Sequence, residues 1–218
     1  MWVILSHKLG VNTPSFNAGP SLTLAPIKEV KTGGSSNSYM LSFPNHLGTH
    51  VDAPKHVGDE GKAVSDYPFE TFIFNHPVIL EMPKGESELV TLEDLKAHGD
   101  EIRKADLLLL RTRFEVFRDK DPAKYMSKNP GVSAEAATYL ASEFPHLKAL
   151  GFDFISLSAV QKREEGRKAH KALLSGRDFF IIEDMDLSKY PKRARRVLVV
   201  PFFIEGVDST PCTVAAET

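Results

Sequence analysis

Short apolar runs alternate with clusters of turn-forming residues through the first third of the chain. Residues 2–6 (Trp-Val-Ile-Leu-Ser) read as an opening strand, and Gly10, Asn12, Pro14, Asn17 and Gly19 mark the loop after it. A loosely alternating run at 22–30, a flexible Thr-Gly-Gly-Ser-Ser-Asn-Ser stretch at 32–38 and a strand at 38–43 make this third β-rich. A buried strand is expected within 76–82, ended by Pro83, and the four leucines at 107–110 predict a central strand buried on both faces. Helical spacing then enters. Thr91, with Asp94 three residues on, caps a helix expected over 91–105 that carries Leu92, Leu95 and Ile102. Ser133 caps a second over 133–144, whose Ala136, Ala137, Leu140, Ala141 and Phe144 share a face. A third is expected over 164–174, with a charged face and an end near Gly176. Strands are expected at 150–154, 179–182 and 196–204, with Pro201 marking a bulge or an edge in the last. The polar stretch 113–131 reads as a long loop. Strands interleaved with helices in the second half predict an α/β fold: a single domain with a mixed β-sheet core and flanking helices. No repeat or linker divides it.

Composition narrows the partners. The chain has 218 residues, 42% hydrophobic and 26% charged, with a net charge of −2, so neither nucleic acid nor an anionic membrane is an expected partner. The basic run at 189–196 reads as a solvated turn before a strand. The first residues lack the basic lead and apolar length of an export signal, and no stretch approaches the roughly 20 apolar residues of a membrane span. A cytoplasmic protein acting on a small-molecule substrate is the expectation. Cys212 is the only cysteine, which excludes an internal disulfide and a thiolate zinc cluster.

The chemistry concentrates at 44–57, Pro-Asn-His-Leu-Gly-Thr-His-Val-Asp-Ala-Pro-Lys-His-Val. His46, His50, Asp52 and His56 all occupy even positions, and in an extended chain alternate side chains share a face. Three imidazoles and a carboxylate could converge on one side. Fully extended, the run from His46 to His56 would span roughly 33 Å, too long for one ion's coordination sphere, so the chain has to curve. Gly48 and Pro54 are the residues suited to bending it. A helix with His46 and His50 one turn apart fails as a reading. Leu47 stands where a His-Glu-x-x-His protease carries its Glu, Gly48, Thr49 and Val51 are poor helix formers, and prolines bracket the run. An irregular or strand-edge loop carrying metal ligands is expected, with an ordinary hydrogen-bonded polar loop as the plain alternative. With no thiolate on offer, imidazole and carboxylate donors suit zinc or manganese and a hydrolytic site.

The run from His46 to His56 resembles the H-x-G-T-H-x-D-x-P-x-H signature of the bacterial kynurenine formamidase and cyclase-like metal-dependent hydrolase family. His170-Lys-Ala-Leu-Leu, Ile181-Ile-Glu183, the Asn-Pro-Gly-Val-Ser run at 129–133 and the stretch 203–211 extend the likeness over nearly the whole chain. The resemblance implies a swivelling β/β/α type of fold and a first metal held by His46, His50 and Asp52. It implies a second metal reached by Asp52, Glu183 and His170, with His56 as the acid/base. It also implies a homo-oligomer, dimeric or larger. On the residues alone, His170 would be a solvated histidine on a charged helix and Glu183 a surface carboxylate. Two places depart from the pattern. Residues 13–19 (Thr-Pro-Ser-Phe-Asn-Ala-Gly) put Phe16 where the family carries a pocket-lining Trp, making Phe16 the expected substrate contact, and Ile-Ser-Leu-Ser at 155–158 matches poorly.

The activity so implied is hydrolysis of an amide or formamide C–N bond, with N-formylkynurenine as the leading substrate candidate and one or two zinc ions, or manganese, as cofactor. A cyclic amide such as isatin, or another carbonyl compound, would use the same groups. A binding protein without catalysis has no need of His56, and a structural zinc usually has four closed ligands, often cysteines.

Overall fold

Leu107 to Leu110 are fully buried at the middle of the fold in the computed structural model, which describes residues 1–218. The strands are β1 (Trp2–Ile4), β2 (Thr23–Lys28), β3 (Ser38–Ser42), β4 (His50–Asp52), β5 (Ile73–Phe74), β6 (Pro77–Glu81), β7 (Leu89–Val90), β8 (Leu107–Arg111), β9 (Gly131–Val132), β10 (Ala149–Phe152), β11 (Phe180–Glu183), β12 (Arg196–Pro201) and β13 (Ser209–Glu217). The helices are α1 (Leu92–Lys96), α2 (Gly99–Ile102), α3 (Val116–Lys120), α4 (Pro122–Ser127), α5 (Ala134–Glu143) and α6 (Arg163–Leu174).

Nine strands form the main sheet, in the order β5-β12-β13-β4-β11-β10-β8-β6, with β1 paired to the end of β13. The β6-β8-β10-β11 block is parallel, while β4, β13, β12 and β5 join it antiparallel. The mixed sheet of an α/β fold is therefore present. Its central strands alternate between two cores, as the pleat requires. Leu108, Leu110, Leu150, Phe152 and Ile181 face α5 and α6, together with Leu140 and Leu173. Leu107, Leu109, Phe180, Ile182 and Val51 face the other way, onto Phe72, Phe74 and Val199. No helix is long and apolar enough to cross a membrane.

Several expectations change. The 91–105 helix is two short ones, since the chain breaks at Ala97 and His98 before Gly99; the Thr91–Asp94 capping box is present. The expected long loop at 113–131 instead folds into α3 and α4. β6 is a half-buried edge strand rather than a buried one. The strand over 38–43 does not enter the main sheet. It pairs with β2 in a separate hairpin that exposes every residue of both strands. Pro201 closes β12 beyond the two residues that pair with β5, which suits its missing N–H.

The helix that carries His170 lies close to the Ser156–Ser158 segment because residue 166 has no side chain. A Cβ on Gly166 would sit 2.6 Å from the Ser158 Cα. Gly166→Val should therefore lower stability by about 1–3 kcal/mol, as overpacking of a close contact does. Urea unfolding monitored by fluorescence checks this, and an unchanged midpoint would show that α6 can shift freely.

Candidate metal centre

Three of the expected ligands stand on two neighbouring strands. His50 and Asp52 are two residues apart on β4 and so share its face, and Glu183 of β11 is paired directly with His50. This is the face covered by α5 and α6, because the intervening Val51 and Ile182 belong to the opposite core. His50 Nε2 lies 3.3 Å from Glu183 Oε2 and 3.6 Å from Asp52 Oδ1. From α6, His170 places Nε2 3.6 Å from Glu183 Oε1. The expected strand-edge loop is thus corrected in part. β4 is a short, fully buried strand between β11 and β13, and only its flanks are irregular.

Those flanks bend where glycine and proline were expected to bend them. Gly48 adopts φ +67°, and before it His46 brings Nδ1 to 3.1 Å from Asp52 Oδ1. Pro54 opens the 3-10 turn Pro54–Val57, which turns His56 back toward the cluster. The His56 ring centroid is 4.6 Å from that of His46 and 5.2 Å from that of His170. The five candidate ligands, His56 and Phe16 all line one cavity of about 450 Å³. Every site residue singled out in the sequence is therefore in one place. The shared parity of His46 and His56 with β4 plays no part, since both lie outside the extended segment.

One nitrogen of each imidazole is tied to an acceptor behind it. His50 Nδ1 pairs with the Gly48 carbonyl and His170 Nδ1 with the Gly166 carbonyl, each at 2.8 Å. Asp208 Oδ2 takes His46 Nε2 at 2.9 Å and His56 Nδ1 at 2.7 Å. A ring that donates from one nitrogen presents a lone pair at the other. His50 Nε2, His170 Nε2 and His46 Nδ1 are therefore turned as ligating atoms toward Asp52 and Glu183. Glu183 is itself anchored by the Leu157 amide, 2.7 Å from Oε1.

A divalent cation fits this donor set. His50 Nε2 and both carboxylate oxygens of Asp52 are buried without a hydrogen-bond partner, although polar atoms buried in this way are rarely left unpaired. Two groups with ligand atoms within 4.8 Å of one another share Asp52: His50–Asp52–Glu183 and His46–Asp52–His56. Distance alone thus offers His56 as a donor too. The electrostatics agree with a cation-binding cluster. Burial alone would depress the His46 pKa, but the charges of Asp52 and Asp208 outweigh it and push it up to about 10. Burial likewise opposes the charged forms of Asp52 and Glu183, yet the surrounding imidazoles hold both carboxyls below their ordinary values. Carboxylates that favour positive charge on neighbouring rings also favour a metal ion among them. Cys212 stays outside the cluster as a buried thiol, its pKa pushed up by burial.

Sequence reasoning missed the supporting residues. Asp208 and Asn45, whose Nδ2 donates to Asp208 Oδ1 at 2.7 Å, carried no role, although Asp208 lies within the 203–211 stretch that drew the family likeness. The buried Asp184, at φ +53°, accepts from Arg118 Nε and Nη2 at 2.9 and 3.0 Å and from Tyr125 Oη at 2.6 Å. Helices α3 and α4 therefore tie down the end of β11, next to Glu183. A lone acidic residue after Glu183 gives no sign in sequence of an Arg and a Tyr some sixty positions away.

Residues 3–159 match the family described as putative cyclase. The chain belongs to this family. Among the relatives of this cyclase-family chain, an uncharacterized protein of Haemophilus influenzae is 35% identical over 118 residues, 54% of this chain and 83% of the relative. A kynurenine formamidase of Bacillus cereus is 21% identical over 216 residues, covering 96% of this chain and 94% of that one. Isatin hydrolase A from Ralstonia solanacearum superposes with a TM-score of 0.80 at 22% identity, covering 99% of this chain and 91% of that one.

Cation binding to the folded cyclase-family chain should stabilise it by about 2.7 kcal/mol at a hundred times Kd. Zinc or manganese added to chelator-treated protein should raise Tm for the wild type and leave Asp52→Asn, which is isosteric, unmoved. Equal shifts in the two proteins would remove Asp52 from the ligand set.

Proposed function

We propose that this chain is a metal-dependent hydrolase of an amide or formamide C–N bond, with N-formylkynurenine as the leading substrate candidate and zinc, or alternatively manganese, as cofactor. The observation that carries this reading is the set of buried, unpartnered atoms on His50 and Asp52 in the wall of a cavity that also holds His56. The relative named as a kynurenine formamidase, aligned over nearly the full length, supports the substrate class.

His46, His50 and Asp52, with His170 and Glu183, would hold one or two divalent ions. A metal there lowers the pKa of coordinated water toward about 7 and polarises a carbonyl oxygen. The chain's own proton carrier is His56. With Nδ1 committed to Asp208, its Nε2 is the free nitrogen that takes a proton from the attacking water and passes it to the departing nitrogen. One C–O bond forms and one C–N bond breaks, and the water's two hydrogens are divided between acid and amine.

The cavity wall suits an aromatic substrate that bears an acid. Phe16 offers a ring face, with the Arg163 guanidinium 5.7 Å from its centroid, and Arg167 and Lys171 line the same cavity from successive turns of α6. These cations favour N-formylkynurenine, which carries a carboxylate. A neutral cyclic amide is the second reading, supported by the likeness to isatin hydrolase.

Hydrolysis of N-formylkynurenine before and after chelation, with metal content measured in parallel, tests the assignment. Chelation should abolish turnover and metal should restore it. Metal bound without deformylation would sink the formamidase reading and favour the cyclic amide. His56→Ala should lower kcat by about 10²–10⁴ while the metal stays bound, whereas normal turnover in that variant would leave His56 without its role. In Arg167→Ala/Lys171→Ala, KM for N-formylkynurenine should rise with kcat nearly unchanged. An unaffected KM would show that the basic face of α6 does not meet the substrate.

A further inference from the structure

The four histidines around the cavity are all held by a second nitrogen, but not in the same way. His50 and His170 are held by backbone carbonyls that no substitution of a side chain removes. His46 and His56 are held by a single carboxylate oxygen, Oδ2 of Asp208. Asp208 stands just before β13, its own carbonyl accepting from the Ala53 amide and its other oxygen occupied by Asn45. It belongs to neither group of candidate ligands, so it meets the site only through the two rings.

We propose that Asp208 is the positioning residue of this site, setting the tautomer and orientation of His46 and His56 together. A carboxylate accepts hydrogen bonds and donates none, so each ring must point an N–H at it. The proton then sits on Nε2 of His46 and on Nδ1 of His56. In the neutral rings that ligation and proton transfer require, the lone pairs left over are on His46 Nδ1, 3.1 Å from Asp52 Oδ1, and on His56 Nε2. The first is the atom that can ligate a cation beside Asp52. The second is the atom that can receive a proton. In the opposite tautomer each of these nitrogens would carry a hydrogen and could do neither. Asp208 also keeps a negative charge against His56 while that ring carries an extra proton, and its grip on both rings fixes their separation. One residue on the far side of the sequence thus ties metal binding to proton transfer. The catalytic half of this role rests on the hydrolase reading, while the tautomers and the metal affinity do not.

The test uses the full chain, zinc-loaded and labelled with ¹⁵N-histidine, as wild type and as Asp208→Ala. Long-range ¹H–¹⁵N spectra of the wild type should show His56 protonated on Nδ1 and His46 on Nε2. Alanine removes the oxygen that accepts from both rings, so neither N–H group keeps its acceptor. In Asp208→Ala at least one ring should lose its wild-type signature. Zinc affinity, measured by chelator competition, or kcat at saturating zinc should fall about 10–100-fold with KM little changed, the usual effect of removing a residue behind a ligand. A His56 protonated on Nε2 in the wild type overturns the proposal whatever the variant does. So does a variant with wild-type ring signatures, even if its kcat is low. If the wild type hydrolyses no amide at all, the hydrolase reading fails, and the spectra and zinc affinity still decide the role of Asp208.

Discussion

Asp52 is the residue around which the structure has to be arranged. Its carboxylate lies 1% exposed in the middle of a nine-stranded sheet, and neither oxygen makes a hydrogen bond. A charge so placed costs several kcal/mol unless positive charge compensates it. The chain supplies three imidazoles within reach: His46 from the turn before β4, His50 from β4 itself and His56 from the turn after it. Rings turned toward a carboxylate through their free nitrogens form a ligand set, and the same arrangement explains the raised pKa of His46.

Each candidate ligand other than Asp52 is held from behind by something that does not itself reach the cavity. The Leu157 amide fixes Glu183, Gly166 lets α6 close on Ser158, and the Arg118–Asp184–Tyr125 cluster clamps the end of β11. A buried ion pair of that kind is weak evidence for stability, but it leaves the strand end few other positions. The buried strands β4 and β11 provide the floor of the cluster, and His56 stands beside it on a short turn.

Much of this was legible in the sequence because the information was local. The run from His46 to His56 holds four candidate site residues and its two bending residues within one short segment, and the leucines at 107–110 announce a central strand by themselves. His170 and Glu183 were legible only through the family resemblance, since a histidine on a charged helix and a carboxylate at a strand end are ordinary by themselves. What stayed hidden depends on tertiary contact. β4 is too short to show a period, and β13 begins Ser-Thr-Pro-Cys and carries no apolar alternation at its start. Helix α3 reads as loop because Arg118 finds its partner only in Asp184, whereas α4 does carry a local signal, the Asp121 cap followed by Pro122. Asp208 meets His46 and His56 from more than 150 residues away.

The central claim is that the atoms around Asp52 hold a divalent cation through nitrogen and oxygen alone. X-ray absorption at the metal edge, on protein purified without added metal, tests it most directly. The account predicts bound zinc or manganese with a nitrogen/oxygen shell, multiple scattering from imidazole rings and no sulfur, the whole pattern lost in Asp52→Asn. An absent metal after reconstitution, or a shell unchanged when Asp52 is replaced, would contradict it.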